Sequence, residues 1–284
     1  MKLLLNFGIL IFAAISCKSD FNNNSKEYKL IQEEGIYVEV FDSINIDQNR
    51  YTKNNHIYKE KFEFVYSYEH FTKNNVKYLF AIDTLINDRR YAWKFVNADS
   101  IDDNTILKVK IKIKKGLQPM IEHIPNYNQT LVEYSYLKRK EPESFNSISG
   151  LIENEKNIWI HPPRDKYFRI LELNPFPFIK EPYEIGNKWK WGLRIGDIWG
   201  DERWVKWKGV IENKYTYEIK GKNRINTVFG KLDSYIIEAE ALSRIGKTQL
   251  TAFFHPEYGF LELLYTNIDG SKTRLKLEEL IKHN

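Results

Sequence analysis

The sequence predicts a mainly β fold, built from antiparallel sheets as a half-barrel or sandwich, in one or two β-rich subdomains with few short helices. Three observations favour this fold in the 284-residue chain. Apolar and polar residues alternate with period two in many segments. Short Gly-, Asn- and Asp-containing turns recur at a spacing of about ten residues in the last hundred positions. Beyond the first residues, long helical periodicity is absent.

The chain begins with a short apolar segment. A single positive charge at Lys2 precedes residues 3–15, which are apolar except for Asn6 and Gly8. A helix needs about 20 apolar residues to cross a bilayer, so this segment is too short to span one. Its length and the small residues that follow it predict a secretory signal peptide over 1–16.

The signal peptide is followed by Cys17, which is the single cysteine of the chain. The run Ala14-Ile15-Ser16-Cys17 resembles the lipobox of bacterial lipoproteins, although Ala14 stands where Leu is commonest. The resemblance implies cleavage before Cys17 and lipidation of its thiol with acyl chains such as palmitate. Because each buried methylene contributes about 0.8 kcal/mol, several chains hold a protein firmly on a membrane. The expected location is therefore the cell envelope, with the outer membrane favoured and its periplasmic or cell-surface leaflet left open.

A polar, Asn-rich segment over 17–27 predicts a lipidated, flexible tether between the membrane and the folded part. The mature chain has no second thiol, so an internal disulfide is excluded and packing has to stabilise the fold. The net charge of +5 is spread along the chain rather than clustered, and no nucleic-acid partner is predicted.

Residues 28–150 are predicted as an N-terminal β-rich region. Aromatic residues alternate over 62–68, and a polar turn at 73–75 separates them from the apolar run 76–82, which predicts a β-hairpin. In the strand 105–115, apolar residues from Leu107 to Ile113 are predicted on one face and lysines on the other. That lysine row is interpreted as a solvated face rather than an anion site. A short helix over 139–150 is a weaker expectation.

The segment 151–182 is rich in proline, which lacks an amide donor and is excluded from central strands. The sequence therefore predicts a connector here, with short strands at Ile158–Ile160 and Phe168–Leu173. Residues 183–284 are predicted as a C-terminal antiparallel β domain of five consecutive strands.

The C-terminal domain carries turn motifs at 186–189, 228–231 and 254–260. They weakly resemble those of uncharacterised bacterial β-sheet lipoproteins and of TapB-like exported domains. The resemblance implies a half-barrel of the kind that carries lipids or lipoproteins, but it assigns no function to this chain.

Motifs for zinc hydrolysis, a nucleophile elbow, phosphate binding and thiol redox chemistry are absent from the sequence. Histidines are scattered without the spacing of metal ligands, so neither a metal nor a cofactor is predicted. No catalytic residue is assigned. One loop combines His161, Arg164 and Asp165 and forms a candidate polar site, because these groups can hold an anion or transfer protons. The alternative for this loop is a rigid connector.

Five of the seven tryptophans fall between residues 189 and 207. Tryptophan offers a large apolar face and one N–H donor, which suits sugar rings and interfaces. The alternative is packing in the core of the sheet, which the sequence favours. The candidate ligand-binding residues are Trp189, Trp191, Trp199, Trp204, Trp207, Phe176 and Phe178.

The sequence thus favours a non-enzymatic, membrane-anchored envelope lipoprotein that binds an apolar or glycan ligand, a lipid or an envelope protein. One alternative is a cell-envelope hydrolase that uses His161 and carboxylates. Another is a structural or assembly lipoprotein without a ligand.

Overall fold

The fold consists of sixteen β-strands and two 3₁₀ helices in a computed structural model that describes residues 28–41, 55–87, 92–114, 130–140 and 146–283. The signal peptide, Cys17 and the tether lie outside these residues. The first eight strands are β1 Tyr28–Glu33, β2 Ile36–Phe41, β3 Glu63–Phe71, β4 Lys77–Ile82, β5 Trp93–Asn97, β6 Thr105–Lys114, β7 Thr130–Lys138 and β8 Asn146–Glu153. The remaining strands are β9 Asn157–Ile160, β10 Phe178–Lys180, β11 Lys188–Ile195, β12 Ile211–Thr227, β13 Gly230–Ser243, β14 Gly246–His255, β15 Gly259–Thr266 and β16 Lys272–Ile281. The 3₁₀ helices are η1 Lys166–Leu173 and η2 Asp197–Trp199.

Fourteen strands form one antiparallel sheet that is nearly closed into a barrel. Its order is β10-β9-β8-β7-β6-β4-β3-β16-β15-β14-β13-β12-β11, with β5 paired to β4 and β3 also paired to β6. Strands β1 and β2 form a separate two-stranded sheet. The predicted fold class is confirmed.

The two ends of the strand order, β10 and β11, meet through aromatic side chains, and we call this junction the seam. Phe178 of β10 packs edge-on against Trp189 of β11 at a centroid distance of 5.7 Å. An open sheet edge exposes unpaired main-chain groups that proteins commonly cover. Here the turn of the β1–β2 hairpin lies beside the seam, where Lys180 Nζ of β10 donates a hydrogen bond to the Gly35 carbonyl at 3.1 Å.

Gly35 has φ +100°, and a Cβ at this position would lie 2.2 Å from the Lys190 carbonyl oxygen of β11. Only glycine allows both this backbone conformation and this approach. On the other side of the seam, Asn157 accepts a hydrogen bond from Tyr37 N at 2.7 Å and donates to Tyr37 O at 3.0 Å. The hairpin therefore bridges the two ends of the sheet.

Aromatic side chains fill the interior. Tyr66, Tyr134 and Phe260 border a cavity of only about 20 Å³. Two of the buried tyrosine hydroxyls donate to main-chain carbonyls: Tyr66 to Phe260 O at 2.8 Å and Tyr68 to Ile106 O at 2.8 Å. Ring packing and these hydrogen bonds stabilise the core.

A buried carboxylate fixes the segment that leads into β3. Glu153, at the end of β8, accepts hydrogen bonds from the main-chain N–H groups of His56, Ile57 and Tyr58 at 2.8–2.9 Å. Tyr58 is fully buried, and its hydroxyl accepts a hydrogen bond from Phe260 N at 3.0 Å. Two side chains, Glu153 and Tyr58, thus connect β8, the 55–58 segment and β15.

The local predictions are largely confirmed. Strands β3 and β4 form the predicted hairpin, and Asn75 occupies its turn with φ +60°. Strands β12 to β16 pair consecutively as predicted. In β6 the lysines form a charged row, and each contacts an acidic side chain, for example Lys112 with Glu63 at 3.0 Å and Lys114 with Glu133 at 3.0 Å.

Three details differ from prediction. Leu107 is half-buried, because an irregularity in the register between Ile106 and Lys108 interrupts the alternation of β6. The segment 168–173 belongs to η1 rather than a strand, since Asp165 caps the helix by accepting from Lys166 N. In the range 139–150, residues 146–150 are in β8 rather than in a helix.

The range predicted as a connector, 151–182, contains β9, η1 and β10, and it contributes to the continuous sheet. The predicted domain boundaries stay a prediction. In the part of the chain that the structure describes, no helix has the length and apolar character needed to cross a membrane.

Candidate functional site

A cleft of about 640 Å³ lies beside the seam and is bordered by the β1–β2 hairpin. Strand β2 contributes Ile36 and Val38, β9 contributes Trp159, and β11 contributes Trp191 and Leu193. Because side chains alternate along a strand, residues two positions apart face the same cleft. The remaining lining residues are Glu33, Glu34, Ile152, His161, Arg164, Glu172 and Phe176.

Three aromatic side chains form one wall of this cleft. Trp159 contacts Trp191 edge-to-face at a centroid distance of 5.6 Å, and Phe176 lies 5.6 Å from Trp159 and 5.1 Å from Trp191. Trp191 is itself stacked on Tyr215 at 4.7 Å, which fixes its ring from behind. The wall is therefore preformed and rigid.

A buried His–Glu pair adjoins the aromatic wall. His161 follows β9 directly, and Glu172 lies near the end of η1. His161 Nε2 is 3.2 Å from Glu172 Oε2. On the other side of the ring, Nδ1 lies 2.9 Å from the Pro162 carbonyl oxygen. A carbonyl only accepts hydrogen bonds, so this contact requires Nδ1 to carry its proton. Nε2 then lies beside the Glu172 carboxyl group.

Two buried polar atoms of the lining residues lack a hydrogen-bond partner among the residues that the structure describes. They are Nε1 of Trp159, a donor, and Oε2 of Glu172, an acceptor. The Oε2 atom is within ion-pair distance of His161 but is not aligned with it as a hydrogen bond. The two side chains are only 5% and 6% exposed.

Charged groups at this cleft are mostly acidic. Glu33 and Glu34 come from the β1–β2 hairpin, and Glu172 lies deeper in the cleft. Arg164 is the positively charged residue facing them, and its guanidinium donates to Ile148 O at 2.9 Å. Three carboxylates against one guanidinium and one imidazole favour neutral or cationic ligands over anions.

Four of the residues predicted from the sequence meet in this cleft: Trp191, Phe176, His161 and Arg164. Asp165, the third member of the predicted polar loop, instead caps η1. The other predicted aromatic residues lie elsewhere, and their binding role stays a prediction.

Trp189 is stacked on Tyr217 with an interplanar angle of 7°, and Phe178 packs against both rings. Trp189 and Tyr217 border a second, outward-facing depression of about 680 Å³, whose other lining residues are mainly charged or polar. Trp204 packs against Tyr167 at 5.8 Å.

Trp199 is half-buried beside the Arg169 guanidinium at 5.4 Å. Trp207 is buried, with its ring against the Gly200 position. These two residues belong to the loop between β11 and β12, so closeness in sequence did not produce one aromatic surface.

Sequence reasoning missed Trp159 and Glu172. A signal for Trp159 exists, because it stands two positions before His161 at the end of a strand and therefore shares its face. Glu172 has no such signal: η1 and the fold of the Pro-rich segment bring it to His161 from eleven positions away.

Comparison with known proteins finds no matching protein-family model and no matching curated protein. The chain is similar to three solved structures. One, from Bacteroides fragilis, is provisionally described as an exported protein with a YmcC-like fold. It is 8% identical with a TM-score of 0.42, over 80% of this chain and 98% of that one.

The second, from Parabacteroides distasonis, is provisionally described as a lipoprotein and is 10% identical with a TM-score of 0.44, over 79% of this chain and 97% of that one. The third is the hypothetical lipoprotein YmcC of Escherichia coli, 6% identical with a TM-score of 0.33, over 78% of this chain and 86% of that one. At these identities and scores the likeness assigns no ligand or activity to this chain.

Within the described ranges, no group of three or more His, Cys, Asp or Glu side chains is arranged to hold a metal ion. The His161–Glu172 pair contributes two such groups, and Glu33 and Glu34 belong to the hairpin. The arrangement offers hydrogen bonding and aromatic packing to a ligand.

Proposed function

We propose that the chain is an exported, lipid-anchored protein whose folded part binds a small ligand in the cleft beside the seam. The observation that carries the proposal is the cleft itself, about 640 Å³ in volume with a rigid aromatic wall and a buried His–Glu pair. Binding sites for small molecules commonly have this volume, an apolar lining and a few placed polar groups.

The geometry favours binding over hydrolysis by His161. A general base needs a nitrogen directed at the substrate. Here Nδ1 faces the Pro162 carbonyl and Nε2 faces Glu172. Nδ1 is therefore engaged by the main chain, and the nearest group to Nε2 is the carboxyl group of Glu172 rather than an open position for a substrate.

The anchor rests on the lipobox resemblance at residues 14–17. Metabolic labelling with a radioactive or clickable fatty acid tests it directly. We expect label in the wild-type protein and none in Cys17→Ala, with the variant released from the membrane fraction. Label that persists in the variant would show that the acyl chains are attached elsewhere.

Ligand binding is tested by native mass spectrometry of the protein purified from envelope extracts. Leu193 lines the cleft and is half-buried at the edge of the core, so Leu193→Trp places a larger side chain in the space, and a melting curve checks that the variant is folded. The matched control is Ile185→Trp, at a position 64% exposed and outside the cleft.

We expect a bound small molecule in the wild type and in Ile185→Trp, and a strongly reduced occupancy in Leu193→Trp. A wild-type protein that carries no molecule, or a Leu193→Trp variant that retains it fully, contradicts the proposal. The assembly role would then be favoured.

A further inference from the structure

The hairpin formed by β12 and β13 extends beyond the strands on either side of it. Strand β12 pairs with β11 only as far as Glu218, and β13 pairs with β14 only from Tyr235 onward. Among the described strands, residues 221–227 and 230–234 therefore pair only with each other. At about 3.3 Å per residue they form a two-stranded extension about 20 Å long. We call residues 220–235 the tip hairpin.

The turn of the tip hairpin presents apolar side chains to the solvent. Val228 is 60% exposed, and the neighbouring Phe229 is half-buried. The ring of Phe229 is stacked on Tyr258 of the β14–β15 turn at a centroid distance of 4.7 Å. This contact fixes the turn in place, and exposed apolar groups grouped in this way are typical of an interaction surface.

Positive charge surrounds this apolar turn. The tip hairpin carries four basic side chains, Lys220, Lys222, Arg224 and Lys231, and one acidic side chain, Asp233. Arg224 and Asp233 form an ion pair at 3.0 Å, but both are strongly exposed, and surface pairs of this kind contribute little. Apolar side chains flanked by cations suit the surface of a bilayer with anionic headgroups.

The described chain begins at the same end of the barrel. Tyr28 donates a hydrogen bond from its hydroxyl to Glu155 Oε2, in the β8–β9 turn, at 2.8 Å. Ten residues separate Tyr28 from Cys17. Because an extended chain spans at most about 3.6 Å per residue, an anchor at Cys17 lies within about 40 Å of Tyr28.

The segment 181–187 joins the β8–β9 turn to the base of the tip hairpin. Glu181 N donates to Lys156 O of that turn at 2.9 Å. Two residues further along, the ring of Tyr183 packs against Tyr235 at a centroid distance of 5.6 Å. The start of the described chain and the tip hairpin therefore lie at one end of the sheet.

The opposite end of the barrel differs in charge rather than in hydrophobicity. The loop between β11 and β12 also exposes apolar side chains, Ile198 at 71% and Val210 at 53%. Its residues 196–210 carry three acidic and three basic side chains, so their charges cancel. Exposed apolar groups alone do not distinguish the two ends, whereas the positive charge and the position of Tyr28 both favour the tip hairpin.

Resting on the proposed lipid anchor, we propose that the tip hairpin is a second membrane contact, which docks on the anionic headgroups of the bilayer that holds Cys17. Val228 and Phe229 enter the interfacial region of the bilayer, and the basic side chains of the hairpin lie against the headgroups. The contact orients the barrel, with the tip hairpin toward the bilayer and the loop between β11 and β12 toward the aqueous phase.

The test uses the full-length lipoprotein, reconstituted from detergent into vesicles of phosphatidylcholine with or without phosphatidylglycerol. Lipidation occupies the thiol of Cys17, so a cysteine introduced elsewhere is the single site for an environment-sensitive NBD label. Val228→Cys places the label on the tip hairpin. Its matched control is Val210→Cys, because these two exposed valines flank opposite ends of β12.

On vesicles with phosphatidylglycerol, we expect the label at position 228 to emit at shorter wavelength and to be quenched by a nitroxide on the lipid acyl chains. The label at position 210 should stay in water and remain unquenched. Adding Lys231→Gln to the protein labelled at position 228 should lower the ratio of docked to undocked hairpin about fivefold. Lys214→Gln, which lies nearer the other end of β12, should leave that ratio unchanged.

Equal signals from positions 228 and 210 overturn the inference, and so does a label at position 228 that stays in water on both kinds of vesicle. A shift to shorter wavelength without quenching by the nitroxide lipid would mean that a second copy of the chain covers the hairpin, which also overturns it. The anchor is judged separately. Wild-type protein that takes up the label has a free Cys17 thiol, and then the lipid anchor fails and the inference falls with it.

Discussion

The imidazole of His70 makes the stability of this protein depend on pH in a calculable way. His70 lies in β3 and is 1% exposed, with its ring between those of Phe95 and Tyr167 at centroid distances of 5.2 and 4.6 Å. Burial lowers the pKa of His70 from 6.5 to about 4, and the nearby Asp269 carboxylate offsets this only in part. The folded protein therefore resists protonation at this position.

Proton linkage gives the direction in which pH changes the stability of the protein. Between pH 6.5 and about 4 the unfolded chain binds a proton at His70 and the folded chain does not, so acidification favours unfolding. The stability that the protein gains by keeping His70 neutral is fully present above pH 6.5, and it is lost as the pH falls toward 4. Each unit of pKa difference corresponds to about 1.4 kcal/mol, and a lowering of about 2.5 units gives about 3 kcal/mol.

His70→Phe removes the titrating group while preserving an aromatic ring in this cluster. Thr273 Oγ1, which lies 3.5 Å from His70 Nδ1, still receives a hydrogen bond from Asn267 at 3.0 Å. Urea unfolding at pH 7, 6, 5 and 4 gives the free energy of unfolding of both proteins. We expect the wild type to lose about 3 kcal/mol more than His70→Phe over this range.

The argument fails if wild type and His70→Phe lose stability in parallel between pH 7 and pH 4, since that result would mean that His70 takes up a proton as readily in the folded state as in the unfolded chain.

Two further substitutions test the packing of the fold. Glu153→Ala leaves three main-chain N–H groups without their acceptor, two of them in buried hydrogen bonds, and should lower the free energy of unfolding by about 3 kcal/mol in urea titrations. A loss as small as that of the exposed Glu212→Ala would contradict this role. Gly259→Ala adds a Cβ 2.3 Å from the buried Tyr58 hydroxyl at a position with φ +76°, and it should lower the free energy of unfolding by about 3 kcal/mol. The control is Gly230→Ala, where φ is +102° but the space around the Cβ is open, and we expect a loss of about 1 kcal/mol. Equal melting temperatures for the two alanine variants would refute the steric argument.

The elements predicted best from sequence are those defined by neighbours in the chain. Strands β12 to β16 are joined by short turns, so period-two alternation and turn residues suffice to place them. Prediction was weaker where the pattern is broken. In β6 the alternation fails at Leu107, and in the Pro-rich segment an apolar run over 168–173 forms a 3₁₀ helix instead of a strand.

The candidate site was predicted in part. Residue type singled out Trp191, Phe176, His161 and Arg164, which do share the cleft. Clustering in sequence suggested that Trp199 and Trp207 would join them, but the loop between β11 and β12 directs its rings into separate packing sites.

By itself, the sequence determined the class of fold and supplied a lipobox-like motif at Cys17, because alternation and short motifs are properties of consecutive residues. The tertiary structure decided which side chains meet. The near-closure of the sheet sets β11 beside β9, η1 carries Glu172 to His161, and the β1–β2 hairpin forms the remaining wall. Contacts of this kind join residues far apart in the chain, and their geometry depends on the pairing of all the strands between them.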